Sequence, residues 1–404
     1  MPGPEWICCQ LGAREHYSMP RALAANGNLG CLYTDLWAPP HSLLAALPFQ
    51  RIRDRYHEDL HAAPVHAFNW RALAFEAAER LRGVTGWPLI RKRNAWFQDC
   101  VLAALSHLPD RPRRVLFAYS YAARRIFDFA RQRGWSTVLG QMDPGIEEER
   151  IVARLCERFP EVEPAWHPAP TSYWQDWRAE CELADQILVN SLWSKEALLK
   201  AGVPSSKIAV VPLVYEPPAA ARGFERIYPK SFSGARPLRA LFLGQVNLRK
   251  GMAALLEVMR RMKTAPVRFV IAGPLSIVVP GDLRTQQNVH WAGPVPRSEA
   301  QRYYQEADVF LFPTHSDGFG LTQLEAQAWK LPVIASRFCG EVVEDGRNGL
   351  LLPEVTPEAI EAALARCLES PARLAAMSGA SGVAPQFSLA ALRRWCAEFE
   401  AAHV

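Results

Sequence analysis

The chain has 404 residues, 49% hydrophobic and 22% charged, with a formal net charge of +5 from 46 Lys and Arg against 41 Asp and Glu. Such a length exceeds what one hydrophobic core usually supports, so two domains are expected, and the charge is too small to imply a nucleic-acid partner. No apolar run reaches the roughly 18 residues that span a bilayer, and the start, MPGPEWICCQLGAREH, lacks the regions of a signal peptide, which predicts a cytoplasmic protein. Nine scattered cysteines, with no CxxC and no Cys/His cluster at zinc spacing, predict reduced, mostly buried thiols and no metal site.

Along the first half, short apolar runs alternate with helical patterns: WICCQL (6–11), LGCLYT (29–34), RVLFAY (114–119), STVLG (136–140), DQILVN (185–190) and IAVVPL (208–213). Helical periodicity covers 122–133 and 194–201, the latter stopped by Gly202 and Pro204. Residues 51–114 hold twelve Lys or Arg against seven Asp or Glu, interleaved with Trp70, Trp87, Trp96 and Phe97. Such a segment suits solvated helical faces; it also suits a surface resting on an anionic membrane or receiving an anionic acceptor. Residues 217–236, rich in Pro, Gly and small side chains, have no period and read as a connection.

The second half repeats the alternation with LRALFLG (238–244), VRFVIAG (267–273), NVHWAG (288–293), DVFLFP (308–313), PVIAS (332–336) and GLLLP (349–353). Helices are predicted over 252–263, 298–306 and 357–369, and around Glu325. A last amphipathic helix, 389–402, has Trp395 and Phe399 to bury and is expected to pack back across the domains. Strands alternating with helices mean βαβ units and parallel sheets. The predicted fold is α/β, two Rossmann-like doubly wound domains facing a central cleft: residues 1–215, a linker over 216–236, residues 237–386, and a C-terminal helix over 387–404. Ligands of such sheets bind at the carboxyl ends of the strands.

Asp317 to Glu325 reads DGFGLTQLE, following the strand DVFLFP and opening a run of good helix formers. Glycines at a strand-to-helix turn let a phosphate approach free backbone N–H groups, and the helix dipole favours the anion. Glu325, about one helical turn in, suits ribose hydroxyls, and Asp317 suits hydroxyls of a sugar beyond the phosphates.

The stretch ADVFLFPTHSDGFGLTQLEAQAWKLPVIASRFCGEVVEDGRNGLLLP, 307–353, resembles the nucleotide-sugar site of retaining glycosyltransferases of the GT-B fold, family 4, whose signature is an acid, seven residues and a glutamate, with GFG after the first acid. The resemblance continues more weakly through LRALFLGQVNLRKG and through 184–212. It implies a sugar transferred from a nucleotide-diphosphate donor to a glycan, lipid-linked or other hydroxyl acceptor, as in polysaccharide biosynthesis, with no metal or other cofactor. The domain over 1–215 would then hold the acceptor and that over 237–386 the donor. Association with the inner face of the membrane would be peripheral.

Residue by residue, the resemblance implies that Glu325 binds the ribose and Asp317 the donor sugar. Gly318, Phe319, Gly320 and Leu321 would offer main-chain donors, and Arg249 or Lys250 would neutralise the leaving phosphate. Gly244 and Gln245 form the glycine turn, Val295 lies near the base, and Gly12 matches the glycine loop of the N-terminal domain. Three positions depart from the family: Asp317 stands where Glu is usual, Gln245 where an arginine commonly follows the glycine, and Gln141, Met142 and Asp143 where a histidine commonly touches the sugar. Asp143 or His16 could take the place of that histidine. These departures keep a second reading open, a non-catalytic sugar-nucleotide-binding or scaffold protein; an epimerase would need paired acids and a histidine that are not evident. His167 and His315 read as ordinary loop histidines, Trp174 and Trp177 as core, and Glu341 as a binder or a cap of its own loop.

Overall fold

In the computed structural model the described residues are 3–45, 52, 54–109, 111 and 113–403. Arg51 and Arg53 of the basic segment, and the chain ends at 1 and 404, lie outside them. A seven-stranded sheet comprises β1 (Glu5–Gln10), β2 (Leu29–Thr34), β3 (Val65–Ala67), β4 (Arg114–Tyr119), β5 (Ser136–Gly140), β6 (Gln186–Val189) and β7 (Ile208–Val210), in the order β3-β2-β1-β4-β5-β6-β7. A six-stranded sheet comprises β8 (Leu238–Leu243), β9 (Val267–Ala272), β10 (Val289–Gly293), β11 (Val309–Phe312), β12 (Val333–Ser336) and β13 (Gly349–Leu352), in the order β10-β9-β8-β11-β12-β13. Every strand pair is parallel. Helices cover both faces of such sheets, which is why β4 and β11 are buried along their whole length and read in sequence as near-continuous apolar runs.

In each sheet the order reverses once, between β1 and β4 and between β8 and β11. A crevice opens beyond the strand ends at that reversal. Gly12 follows β1, Tyr121 follows β4, Gly244 follows β8 and Asp317 follows β11, so the candidate residues stand at the reversal points of the two sheets.

The two halves share packing. Leu155 and Val162, from helix Ile146–Arg158 and the loop after it, are buried in the core of the second sheet, and the Val278 amide donates to Val162 O at 2.8 Å. The connection after β7 is pinned: the Arg226 guanidinium donates to the carbonyls of Tyr304, Gln305, Ala307, Trp329 and Lys330. The last helix, Leu389–His403, packs against the first domain. Phe399 packs 5.6 Å from the Trp6 ring, and Glu400 accepts from Trp6 Nε1 and Asn28 Nδ2, each at 2.7 Å. Burying Leu392 and Phe399 is worth about 1.5–3 kcal/mol each. Trp395 is only half-buried, stacked on Phe399 at 5.3 Å.

The basic segment forms helices Asn69–Leu81 and Gly86–Leu105, and its cations pair with neighbouring carboxylates: Arg93 with Glu76 at 2.6 Å, Lys92 with Glu79 at 2.7 Å, Arg114 with Glu5 at 2.7 Å. All nine cysteines are free and none is exposed. No helix among the described residues is long and apolar enough to cross a membrane.

Candidate active site

After β8 the chain turns through Gly244 and Gln245 into a short 3-10 turn, Leu248–Lys250, capped by the Asn247 side chain, which accepts from the Lys250 amide at 3.0 Å. This cap aims two cations at the cleft. Arg249 Nη1 donates to Ser316 O at 2.8 Å and lies 3.4 Å from Glu148 Oε2 and 3.9 Å from Asp317 Oδ2. Lys250 Nζ is in direct contact with Asp317 Oδ2 and lies 4.6 Å above the Phe312 ring. Burial, and secondarily the adjacent Arg249, push the Lys250 pKa well below its ordinary value, with the Glu148 carboxylate opposing that pull. Glu148 is pushed upward by burial, with Arg249 opposing.

The DGFG turn is built by two glycines. A Cβ on Gly318 would lie 2.3 Å from Met142 O, and Gly320 has φ +85° with the Phe312 ring 2.4 Å from where its Cβ would be. Phe319 is buried against Phe387 at 5.7 Å, which fixes the turn to its own domain. Gly318 O accepts from Ser191 Oγ at 2.7 Å and Ser194 Oγ at 3.2 Å, which fixes it to the other domain. Among the described residues no protein acceptor takes the amides of Gly318, Phe319, Gly320 or Leu321, so four N–H groups remain open at the start of helix Leu321–Ala328. Further along that helix Glu325 Oε2 accepts from the buried Tyr304 hydroxyl at 2.6 Å.

Across the cleft, the Gly12 amide donates to Asp35 Oδ1 at 2.9 Å. Glu15, His16 and Tyr17 all have positive φ, 50°, 51° and 59°, a strained run of non-glycine residues. Burial, then the Arg297 guanidinium, bring the His16 imidazole down to about 4. Asp143 is oriented rather than free: its Oδ1 accepts from Tyr121 Oη at 2.5 Å, the Gly145 amide at 2.9 Å and Gln141 Nε2 at 3.2 Å. A cavity of about 510 Å³ joins the two sides, with Arg14, Tyr121, Asp143, Gln245, Arg249 and Asp317 among its walls.

The structure therefore brings Arg249, Lys250, Asp317 and Gly318 into one cluster and places Glu325 apart from it with Tyr304. Val295 is half-buried in the loop between β10 and helix Arg297–Glu306, and Gln245 is exposed at the cleft. Glu341 accepts from the Leu192 amide at 3.0 Å, at the start of helix Leu192–Lys200. Trp177 is core, but Trp174 is half-buried and lines a side pocket. Sequence reasoning missed Glu148; the one signal that could have found it is the acidic first turn Glu147, Glu148 and Glu149 of a helix that follows Asp-Pro-Gly. No group of three or more His, Cys, Asp or Glu among the described residues is arranged to hold a metal ion.

Residues 237–370 match the family model described as Glycosyl transferases group 1. That match falls in the second half of the chain, over the six-stranded sheet. Relatives of this chain include a D-inositol 3-phosphate glycosyltransferase of Kineococcus radiotolerans, 32% identical over 227 residues, 48% of this chain and 52% of the relative. Another is the amylovoran biosynthesis glycosyltransferase AmsK of Erwinia amylovora, 29% identical over 44% of this chain and 46% of the relative. The chain spans about half the length of the curated relatives it matches. The whole fold is GT-B. HepE from Anabaena, in complex with UDP and glucose, superposes with a TM-score of 0.62 at 14% identity over 99% of this chain and all of that one. Sucrose-phosphate synthase from Thermosynechococcus elongatus superposes with a TM-score of 0.66 at 16% identity over 98% of each chain.

Proposed function

We propose that the chain is a glycosyltransferase that moves a sugar from a nucleoside-diphosphate sugar to a hydroxyl of a glycan, lipid-linked or other acceptor, with retention at the anomeric carbon. The observation that carries this reading is the Arg249, Lys250 and Asp317 cluster set against the four open amides of residues 318–321. Two cations and a helix N-terminus in one crevice favour a diphosphate. Glu325, with one oxygen held by Tyr304, would accept from the ribose hydroxyls. Relatives named as glycosyltransferases and a structural neighbour solved with UDP and glucose support the donor class; retention follows the family resemblance of the DGFGLTQLE motif.

In the transfer, the bond from the anomeric carbon to the diphosphate oxygen breaks, its electron pair leaving with the diphosphate. The acceptor oxygen bonds the same face of the anomeric carbon, and its proton passes to the departing phosphate oxygen. Arg249 and Lys250 stabilise the charge that develops there, so no metal is required. Asp317 exchanges part of its contact with Lys250 for hydroxyls of the donor sugar.

Thermal stabilisation by UDP, GDP, ADP and their sugars tests the donor site. One nucleotide is expected to raise the melting temperature, with about 2.7 kcal/mol of added stability at a hundredfold excess over Kd. Glu325→Ala should weaken that binding by about ten- to a hundredfold, the loss of charged hydrogen bonds to ribose. Stabilisation by none of them would contradict the reading.

A further inference from the structure

Beside the cleft, on the flank of Arg249, a second cavity of about 200 Å³ lies between the N-terminal domain and the loop carrying Asn247. Tyr121, Asp143, Glu148, Tyr173 and Arg249 line both cavities, so the two are lobes of one space. The walls of the smaller lobe are aromatic. Tyr121 and Tyr173 are stacked at 4.7 Å and 16°, Trp87 lies 4.9 Å from Tyr173, and Trp174 lies edge-on to it at 5.2 Å. Two of these rings are pinned by their own N–H groups, Trp174 to Glu149 at 2.7 Å and Trp87 to His167 O at 3.2 Å. All four are only partly buried, which leaves aromatic surface open to the lobe.

The edge of the lobe is acidic. Asp143 Oδ1 accepts from the Tyr121 hydroxyl and the Gly145 amide, Glu148 Oε2 accepts from Ser316 Oγ and Arg249 Nη1, and Glu163 Oε2 accepts from the Leu248 amide at 2.8 Å. Among the described residues none of the three has a protein donor on its other oxygen. Rings with open faces beside carboxylate oxygens without donors match one ligand chemistry, a pyranose: its C–H face lies on an aromatic ring and its hydroxyl edge donates to carboxylates. The same carboxylates would repel a phosphate or carboxylate on the ligand, since Arg249, the one cation among the described residues lining the lobe, is already engaged by Ser316 O and Glu148.

We infer that this aromatic lobe, walled by Trp87, Tyr121, Tyr173 and Trp174 and edged by Asp143, Glu148 and Glu163, is the acceptor subsite and takes an uncharged sugar ring. The assignment rests on the donor reading above, because the lobe opens where the transferred sugar would end.

The test is saturation-transfer NMR on the full chain, with and without the stabilising nucleotide. The probes are the methyl glycosides of glucose, galactose and mannose, set against glucuronate and glucose 6-phosphate. At least one neutral glycoside should bind, and the anionic sugars should bind at least about tenfold more weakly, the effect of one like-charge juxtaposition. Trp87→Ala, at the rim, and Trp174→Ala, in the wall, should each weaken the neutral glycoside by about tenfold, the worth of one aromatic stack, while nucleotide stabilisation stays unchanged. Using both variants guards against one that fails to fold. Absence of binding by every neutral glycoside, equal binding by both folded variants, or tighter binding of the anionic sugars would overturn the inference. Failure of the donor reading shows separately as absence of nucleotide stabilisation, because the titration without nucleotide still reports on the lobe.

Discussion

Lys250 sits beneath the DGFG turn with Asp317 in contact and Arg249 beside it, so a second cation crowds a buried ammonium. A diphosphate arriving at the open amides would relieve that crowding, since both cations gain an anion that two carboxylates now supply only in part. Another residue on the cleft has a pH signature. His16 has a pKa of about 4, below the ordinary 6.5, because burial and Arg297 disfavour its charged form. As pH falls below about 6.5 the unfolded chain takes up the proton before the folded one, so the stability His16 contributes is complete above that value and is lost toward pH 4. His315, also about 4, adds to the same limb. His16→Asn, a residue that tolerates positive φ, should reduce without abolishing the fall in melting temperature between pH 7 and pH 5; an unchanged fall would contradict this. Not all of the site could be read locally. Arg249, Lys250, Asp317 and Glu325 stand in short motifs, whereas Glu148 reaches Arg249 from 101 positions away and Tyr304 reaches Glu325 from a different helix, contacts that only tertiary packing specifies.

At the level of elements, the strands were legible where a run of mostly apolar, β-branched or aromatic residues marks them. LGCLYT, RVLFAY and STVLG match β2, β4 and β5 end to end, while β3, three residues at a sheet edge with no fully buried position, gave no apolar run to find. IAVVPL was read six residues long, but β7 ends at Val210, before Pro212, because proline cannot donate to a ladder. Helix Ile146–Arg158 also hid its role, since its apolar end packs into the other domain's core rather than onto its own sheet. The strand-to-helix turn at 317–320 carries an element-scale prediction. Gly318→Ala would drive a methyl into Met142 O and push the turn from Ser191 and Ser194, costing about 1–3 kcal/mol as overpacking does. Chemical denaturation should show that loss, and nucleotide stabilisation should fall with it; a variant as stable as the parent would mean the close approach is not a real constraint.

Across the whole molecule, two sheets with reversal points turned toward one another leave a single cleft, and several contacts hold its walls together. Trp193 Nε1 donates to Ser316 Oγ at 3.1 Å, Ser191 and Ser194 donate to Gly318 O, Glu341 accepts from the Leu192 amide, and the last helix straps the second domain to the first. Those contacts set how near the aromatic lobe stands to Arg249 and Lys250, and none was specified by periodicity. The central claim is that the cations stabilise a departing nucleoside diphosphate. It is tested most directly by nucleoside diphosphate release from the sugar nucleotide that stabilises the protein, comparing the parent with Lys250→Met under saturating donor. The account predicts that the parent turns the donor over and that Lys250→Met lowers kcat by about a hundredfold or more, as loss of one preorganised charge at a leaving group does. Equal turnover in the two proteins, or none in the parent with any acceptor, would contradict it.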